Sequence, residues 1–421
     1  MRRVGPAGVA ATALAVIGLA MRATPAVATD YQINPRVELG GGYDDNVNLA
    51  TGTNRIGTAD ALADARVELV AQGPNWQWRA TPEVRGTWYP GHSNLDSNGQ
   101  FLYLDGERSG ERYALDMYGY AASQSLITSY LPTANFASGL GVAEPGTTLT
   151  TPASIRQNLG YLRPTYALQM TPRTSLELEL DYTLATFSQQ LQDYRNYSNV
   201  TGSAGLVLNT TPTGSLTLRA LGGGFRADEA RTTDSYGANV QWDGKFSATR
   251  QYYLRAGAVR SNLSGDLGGG AGTATSQTPS RSTTSVTGGA GAQWTYTLTE
   301  MFVDLTRDVE PTGLGYAVNR DQLRLRLARR FTPRVAGFLG ARVIHDDPLP
   351  GSAVATVQAQ RYYYGTVGLE WRVERQFAVI GAYEFTDYHY GGPTAQANAV
   401  RLSVVYEPHR PENGPAITVG Y

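Results

Sequence analysis

The sequence predicts an all-β chain that closes into a transmembrane antiparallel β-barrel of about eighteen strands. Three observations carry that prediction. Apolar and polar residues alternate with a period of two over stretches of about 9–12 residues, the length a tilted strand needs to cross a bilayer. The links between stretches alternate between short polar turns and long loops. Charged residues make up 17% of the chain, against about 25% in soluble domains, so much of the surface faces something other than water.

The N-terminus stands apart from the alternating region. Arg2 and Arg3 precede an apolar stretch from Val9 to Met21, and Ala26-Val27-Ala28 follows as a small-x-small cleavage site. This predicts a signal peptide over 1–28, a barrel over 29–408 and a C-terminal tail over 409–421. The apolar run is shorter than the ~20 residues a helical span needs. No other stretch approaches that length, so the spans must be strands.

From Tyr31 onward the alternation is plain. Leu176, Leu178, Leu180, Tyr182 and Leu184 interleave with Glu177, Glu179, Asp181 and Thr183. Leu323, Leu325 and Leu327 interleave with Gln322, Arg324 and Arg326, and Val400, Leu402, Val404 and Tyr406 with Arg401, Ser403 and Glu407. A helix would scatter each set around its circumference, whereas a strand places each on one face. The eighteen expected strands lie near 31–48, 62–72, 76–89, 100–108, 111–125, 155–170, 174–188, 197–210, 214–227, 235–247, 250–262, 283–296, 299–309, 316–331, 335–345, 359–373, 376–388 and 396–407. The weakest are those near 100–108 and 299–309, and without such a pair the count falls to sixteen.

Short turns are expected at sites such as Gly73-Pro74-Asn75, Thr171-Pro172-Arg173, Thr211-Pro212-Thr213 and Thr332-Pro333-Arg334. Longer Gly-, Ser-, Thr- and Pro-rich loops lie between them, and an even strand count leaves both chain ends on the short-turn, periplasmic side. Within the longest loop, Ile127 to Ser154, apolar residues such as Leu131, Phe136 and Leu140 make it the candidate for an infolded or gating loop. Aromatic residues gather at predicted strand ends, among them Trp76, Tyr166, Trp242, Phe246, Phe331, Trp371 and Phe377, as in interfacial girdles.

Signals for catalysis are poor, and the chain does not read as an enzyme. With no cysteine, thiol chemistry, Fe–S clusters and Cys-ligated zinc are excluded. His92, His345, His389 and His409 all fall in predicted loops or the tail, and His345-Asp346-Asp347 has no spaced partner for a metal. Gly222-Gly223-Gly224 lies inside a predicted strand and Gly268-Gly269-Gly270 in a loop, so neither opens a phosphate-binding helix. No cofactor is expected, and a net charge of −1 gives no pull toward nucleic acid.

The informative chemistry is on the predicted inner face. Asp105, Glu107, Asp116, Glu177, Glu179 and Asp181 lie on early strands, and Arg324, Arg326, Arg330 and Arg342 on late ones. In a closed ring these sets face each other as an acidic and a basic wall, a transverse field that orients dipolar solutes and weakens simple ion preference. The alternative is that each charge pairs with its neighbours and keeps the lumen wet. Tyr118, Tyr120, Phe225 and Tyr253 share the inward phase, where rings either stack on sugar faces or fill space.

One motif extends this reading. Gly42-Tyr43-Asp44-Asp45-Asn46-Val47 follows an alternating strand, and Thr-Pro-Arg turns recur at Thr171 and Thr332. Together these resemble the β-barrel porin 2 family of outer-membrane proteins, associated with exopolysaccharide loci of Gram-negative bacteria. The resemblance implies an outer-membrane conduit for exopolysaccharide export, with outer-membrane lipid, the barrel-assembly machinery and periplasmic export components as partners. A general diffusion porin, or a structural or adhesive barrel with a blocked lumen, are the alternatives.

Overall fold

Each alternating stretch pairs with the next in the computed structural model, which describes residues 30–125, 155–188, 195–228, 231–264, 281–312, 316–349, 359–390 and 394–408. The strands are β1 (Asp30–Asp44), β2 (Thr58–Gly73), β3 (Trp76–Trp88), β4 (Ser97–Ser109), β5 (Tyr113–Ser125), β6 (Arg156–Thr171), β7 (Thr174–Phe187), β8 (Tyr197–Thr211) and β9 (Gly214–Ala227). They continue as β10 (Arg231–Ser247), β11 (Arg250–Ser264), β12 (Arg281–Thr295), β13 (Thr299–Pro311), β14 (Ala317–Arg330), β15 (Val335–Pro348), β16 (Gln360–Arg372), β17 (Phe377–Tyr390) and β18 (Thr394–Tyr406). All neighbours are antiparallel, and β1 pairs with β18, closing an 18-stranded ring. Closure matters because a lipid-exposed sheet edge leaves N–H and C=O groups without partners.

The two faces separate as the period requires. Leu178, Leu180 and Tyr182 of β7 are exposed, as are Leu323 and Leu327 of β14 and Val400, Leu402 and Val404 of β18. Ser403 and Val405, between them on β18, are buried. Beside the short turns Phe246, Tyr296, Phe331, Trp371 and Phe377 are exposed, and Tyr43 and Trp88 are exposed at the opposite strand ends. The outer surface is thus a greasy band with aromatic rims, the form that suits lipid.

Proline marks two breaks in the ladder. The β2–β3 pairing skips from Arg66↔Glu83 to Leu69↔Ala80 around Pro82, and β6–β7 skips from Leu162↔Tyr182 to Thr165↔Glu179 around Pro164, with the register unchanged across each gap. Proline has no N–H to give the ladder.

Some expected limits shift. β1 stops at Asp44 rather than 48, because polar side chains take over the turning of the chain. The Asn46 N–H donates to Asp44 Oδ1, Asn46 Nδ2 donates to the Ala50 carbonyl, and the Ala50 N–H returns to Asn46 Oδ1. His345 and His389, expected in loops, lie in β15 and β17, which extend to Pro348 and Tyr390. Both weak strands form, as β4 and β13. The proposed signal peptide (1–28), the 409–421 tail with His409, the Ile127–Ser154 gating loop and Gly268-Gly269-Gly270 lie outside the described residues.

Candidate functional site

Cross-strand partners share a face, so the register assigns every inward side chain. By that criterion Asp105 and Glu107 (β4), Asp116 (β5), Glu177, Glu179 and Asp181 (β7), Arg324, Arg326 and Arg330 (β14) and Arg342 (β15) all sit on the inward phase. β5 and β14 stand nine places apart in the 18-strand ring, so the two sets lie on opposite sides.

Several of these charges hold partners on neighbouring strands. Arg79 bridges Glu68 at 2.8 Å and Asp105 at 3.7 Å. Arg219 of β9 reaches Glu177 across β8, the Tyr161 hydroxyl donates to Asp181, and Arg324 pairs with Asp304. Glu107 and Asp116, by contrast, are direct cross-strand partners of like sign near a short turn. Across the ring, Arg326 and Arg330 lie toward the short-turn end of β14. Glu107, Asp116, Arg326 and Arg330 thus all lie toward the short-turn end of the ring.

Two glycines let side chains cross a whole strand. Gly42 of β1 lies opposite both Arg401 and Asp60. Across it Arg401 binds Asp60 at 2.9 Å, and on its other side Glu384 at 3.4 Å. A Cβ at Gly42 would lie 2.5 Å from the Val400 carbonyl and 3.1 Å from Arg401 Cγ. Likewise the Tyr253 hydroxyl passes over Gly289 of β12 to donate to Asp304 at 2.6 Å, where a Cβ would lie 2.9 Å from it. Asp304 also holds Arg324, so one carboxylate ties β11, β13 and β14 together. Such pairs order the wall, and their net stabilisation is small because both charges leave water.

The aromatics divide into two groups. Tyr120, Phe225 and Tyr253 are buried, and the first two join Phe101, Phe187 and Tyr197 in an apolar cluster on the inward face of β4–β9. These rings fill space. Tyr118 is half-buried, packs against Tyr161 with centroids 5.8 Å apart, and carries the Arg163 guanidinium over its ring. Tyr118 and Tyr161 are half-buried and pack on the edge of the same cluster, and Tyr161 with Arg163 lines the polar cavity described below.

The outer end of the β13–β14 hairpin leaves the wall. The β12–β13 ladder stops at Gly288↔Arg307, although β12 starts at Arg281 and β13 continues to Pro311. β13 and β14 stay paired to Pro311↔Ala317, beyond which the Thr312 N–H and hydroxyl both donate to the Tyr316 carbonyl. Ala317, Val318, Asn319 and Arg320 are all buried, which breaks the alternation because both faces of the hairpin are covered. Arg255 of β11 grips Asp308 at 2.6 Å, and Val309 packs on Leu263, Ala317 and Leu349. Tyr197 of β8 lies within electrostatic reach of Arg320 and Glu310. Strands sit about 4.8 Å apart, so the five steps from β13 to β8 are on the order of 24 Å along the wall. The hairpin end therefore takes a short cut through the lumen.

Between this end and the β6–β11 wall lies a polar cavity of about 190 Å³, lined by Tyr161, Arg163, Asp181, Arg219, Arg255, Asp308 and Glu310 among others. A wider recess of about 760 Å³ lies at the short-turn end, beside Arg173, Asn209, Asp243 and Lys245. Sequence reasoning missed Arg255, Asp308, Glu310 and Arg320. Their signal was their inward phase, but nothing local marks which inward charges meet across the lumen.

No family model and no curated protein sequence matches the chain. Among solved structures it is similar to the outer membrane channel DcaP of Acinetobacter baumannii, with 11% identity over 90% of this chain and 97% of that one, TM-score 0.41. It is also similar to the outer membrane protein OpdK of Pseudomonas aeruginosa, with 9% identity over 90% and 98%, TM-score 0.43. A third is the ferric-catecholate import receptor Fiu of E. coli K12, with 8% identity over 91% and 82%, TM-score 0.43.

Proposed function

We propose that this barrel sits in the outer membrane of a Gram-negative bacterium and passes polar solutes through its lumen, the intended cargo being a saccharide chain during exopolysaccharide secretion. The observation that carries the reading is the contrast between faces: an apolar band with aromatic rims outside, and arginines, carboxylates and half-buried tyrosines inside. A ring of 18 strands is wide enough for an aqueous channel. The saccharide reading rests on Tyr161 and Arg163, which line the polar cavity, and on the Gly42–Val47 motif that resembles β-barrel porin 2 proteins. On this reading the chain enters the periplasm by its 1–28 signal segment, meets the barrel-assembly machinery, and works beside periplasmic export components. No bond is made or broken in passage, so the proposal includes no enzymatic step.

A second reading, a general diffusion porin for small solutes, is favoured by the width of the ring. Liposome swelling with graded sugars separates the two. Free passage of mono- and disaccharides supports the porin. Slow passage of small sugars, with loss of secreted polymer on deletion, supports the conduit. Absence of any conductance in planar bilayers overturns both and leaves a structural barrel.

A further inference from the structure

We infer that the outer ends of β13 and β14 form a two-position gate, whatever the cargo: in one position they cross the lumen, and in the other residues 308–311 zip onto the free edge of β12. The first position is the one described above. The second follows from what the first leaves unpaired. Among the described residues no strand pairs with the β13-facing edge of β12 over 282–287. An unpaired edge is a template that attracts a strand.

The segment that fits this edge is the end of β13 itself. Continuing the observed register beyond Gly288↔Arg307 places Thr287 opposite Asp308, Val286 opposite Val309 and Ser285 opposite Glu310. The faces then agree without adjustment. Val309 joins Val286, which is 71% exposed, on the outward phase, and Asp308 and Glu310 join Thr287 and Ser285 on the inward phase. Met301, Val303, Leu305 and Val309 against Phe302, Asp304, Thr306, Asp308 and Glu310 keep one alternation, interrupted on the outward phase by Arg307, which pairs there with Asp321. β13 is patterned as wall to its end, yet its last residues lie inside the ring. Two competing homes for one segment are what a switch requires.

The hinge is placed by the ladders. Arg307 is the last residue of β13 paired with β12 and binds Asp321 at 3.1 Å on the outward phase. Beyond it the hairpin keeps its own pairing and that of β14 with β15 to Val318↔Pro348, so the end moves as a unit. The lumen position is held by Val309 against Leu263 of β11, a contact that the wall position gives up.

The absence of cysteine makes the test clean. Val286→Cys combined with Val309→Cys places two thiols opposite each other only in the wall position, since a disulfide needs Cα atoms within about 7 Å. The full barrel is oxidised and reduced in planar bilayers, with heat-modifiable mobility confirming that the variant folds. A disulfide that forms on oxidation and raises single-channel conductance severalfold, reversed by dithiothreitol, supports the gate. Thiols that stay reduced under oxidant, or a disulfide that leaves conductance unchanged or lower, overturn it. Should the double variant fail to fold, Leu263→Asn decides, because Leu263 belongs to β11 and meets Val309 only in the lumen position. More time in the high-conductance state supports the gate, and an unchanged open time overturns it.

Discussion

Asp45 and Asn398, 353 residues apart in the chain, clasp the two ends of the barrel: the Asn398 N–H and Nδ2 donate to the two Asp45 carboxylate oxygens at 2.7 and 2.8 Å. The Asp45 N–H returns a bond to the Asn398 carbonyl at 3.1 Å, and fully buried Asn46 donates to the Gln396 carbonyl at 2.8 Å. The motif that suggested a family from sequence is thus the fastener of the β1–β18 seam.

Asp45→Ala should loosen that seam. Hydrogen bonds to a charged group contribute about 1.5–3 kcal/mol each and are not additive, so a loss of roughly 2 kcal/mol is expected. Urea unfolding of the refolded barrel in detergent measures it. An unchanged midpoint would remove the clasp from the account of closure.

Arg401→Met should be more damaging. Asp60 and Glu384 have side chains 1% and 7% exposed and would lose their shared cation. Removing one partner of a buried pair costs about 3–5 kcal/mol. Gly42→Val should act in the same direction by pushing Arg401 off its path. Wild-type-like stability in both variants would contradict the bridging geometry.

The lipid-facing phase predicts a contrast between adjacent residues. Leu180 is exposed on the outside of β7, and Glu179 faces in. Leu180→Arg should cost about 2–4 kcal/mol if it lies near the midplane, while Glu179→Arg should leave folding nearly intact. Equal effects of the two, read from the folded fraction in lipid vesicles, would reverse the assigned faces.

Opposed walls predict weak ion preference. In a KCl gradient the reversal potential should lie close to zero. Neutralising Glu107 and Asp116 together, as Glu107→Gln and Asp116→Asn, should move it toward anion preference, because Arg326 and Arg330 then dominate the mouth. Strong selectivity in the parent protein, or no change in the double variant, would exclude the field.

Much of the wall is legible in the sequence because alternation is a local signal. Leu178 and Glu179 must face opposite ways in any strand, and Thr-Pro-Arg at 171–173 turns the chain wherever it stands. For the same reason the phase of every proposed lumen residue from Asp105 to Arg342 follows from its own stretch. The aromatic roles were less legible: Tyr118 and Tyr120 share a phase, yet one is half-buried beneath Arg163 and the other is buried against Tyr103, according to neighbours on other strands.

The sequence by itself determined the all-β class, the eighteen strands, their turns and which side chains point inward, since each is written within about ten consecutive residues by the period of the pleat. Only the tertiary structure decided that Asp45 meets Asn398, that Arg401 reaches Asp60 over Gly42, and that Asp308 leaves the wall to meet Arg255. These contacts join residues that only ring closure, or a path through the lumen, brings within a few ångströms. No periodicity along the chain encodes such distances.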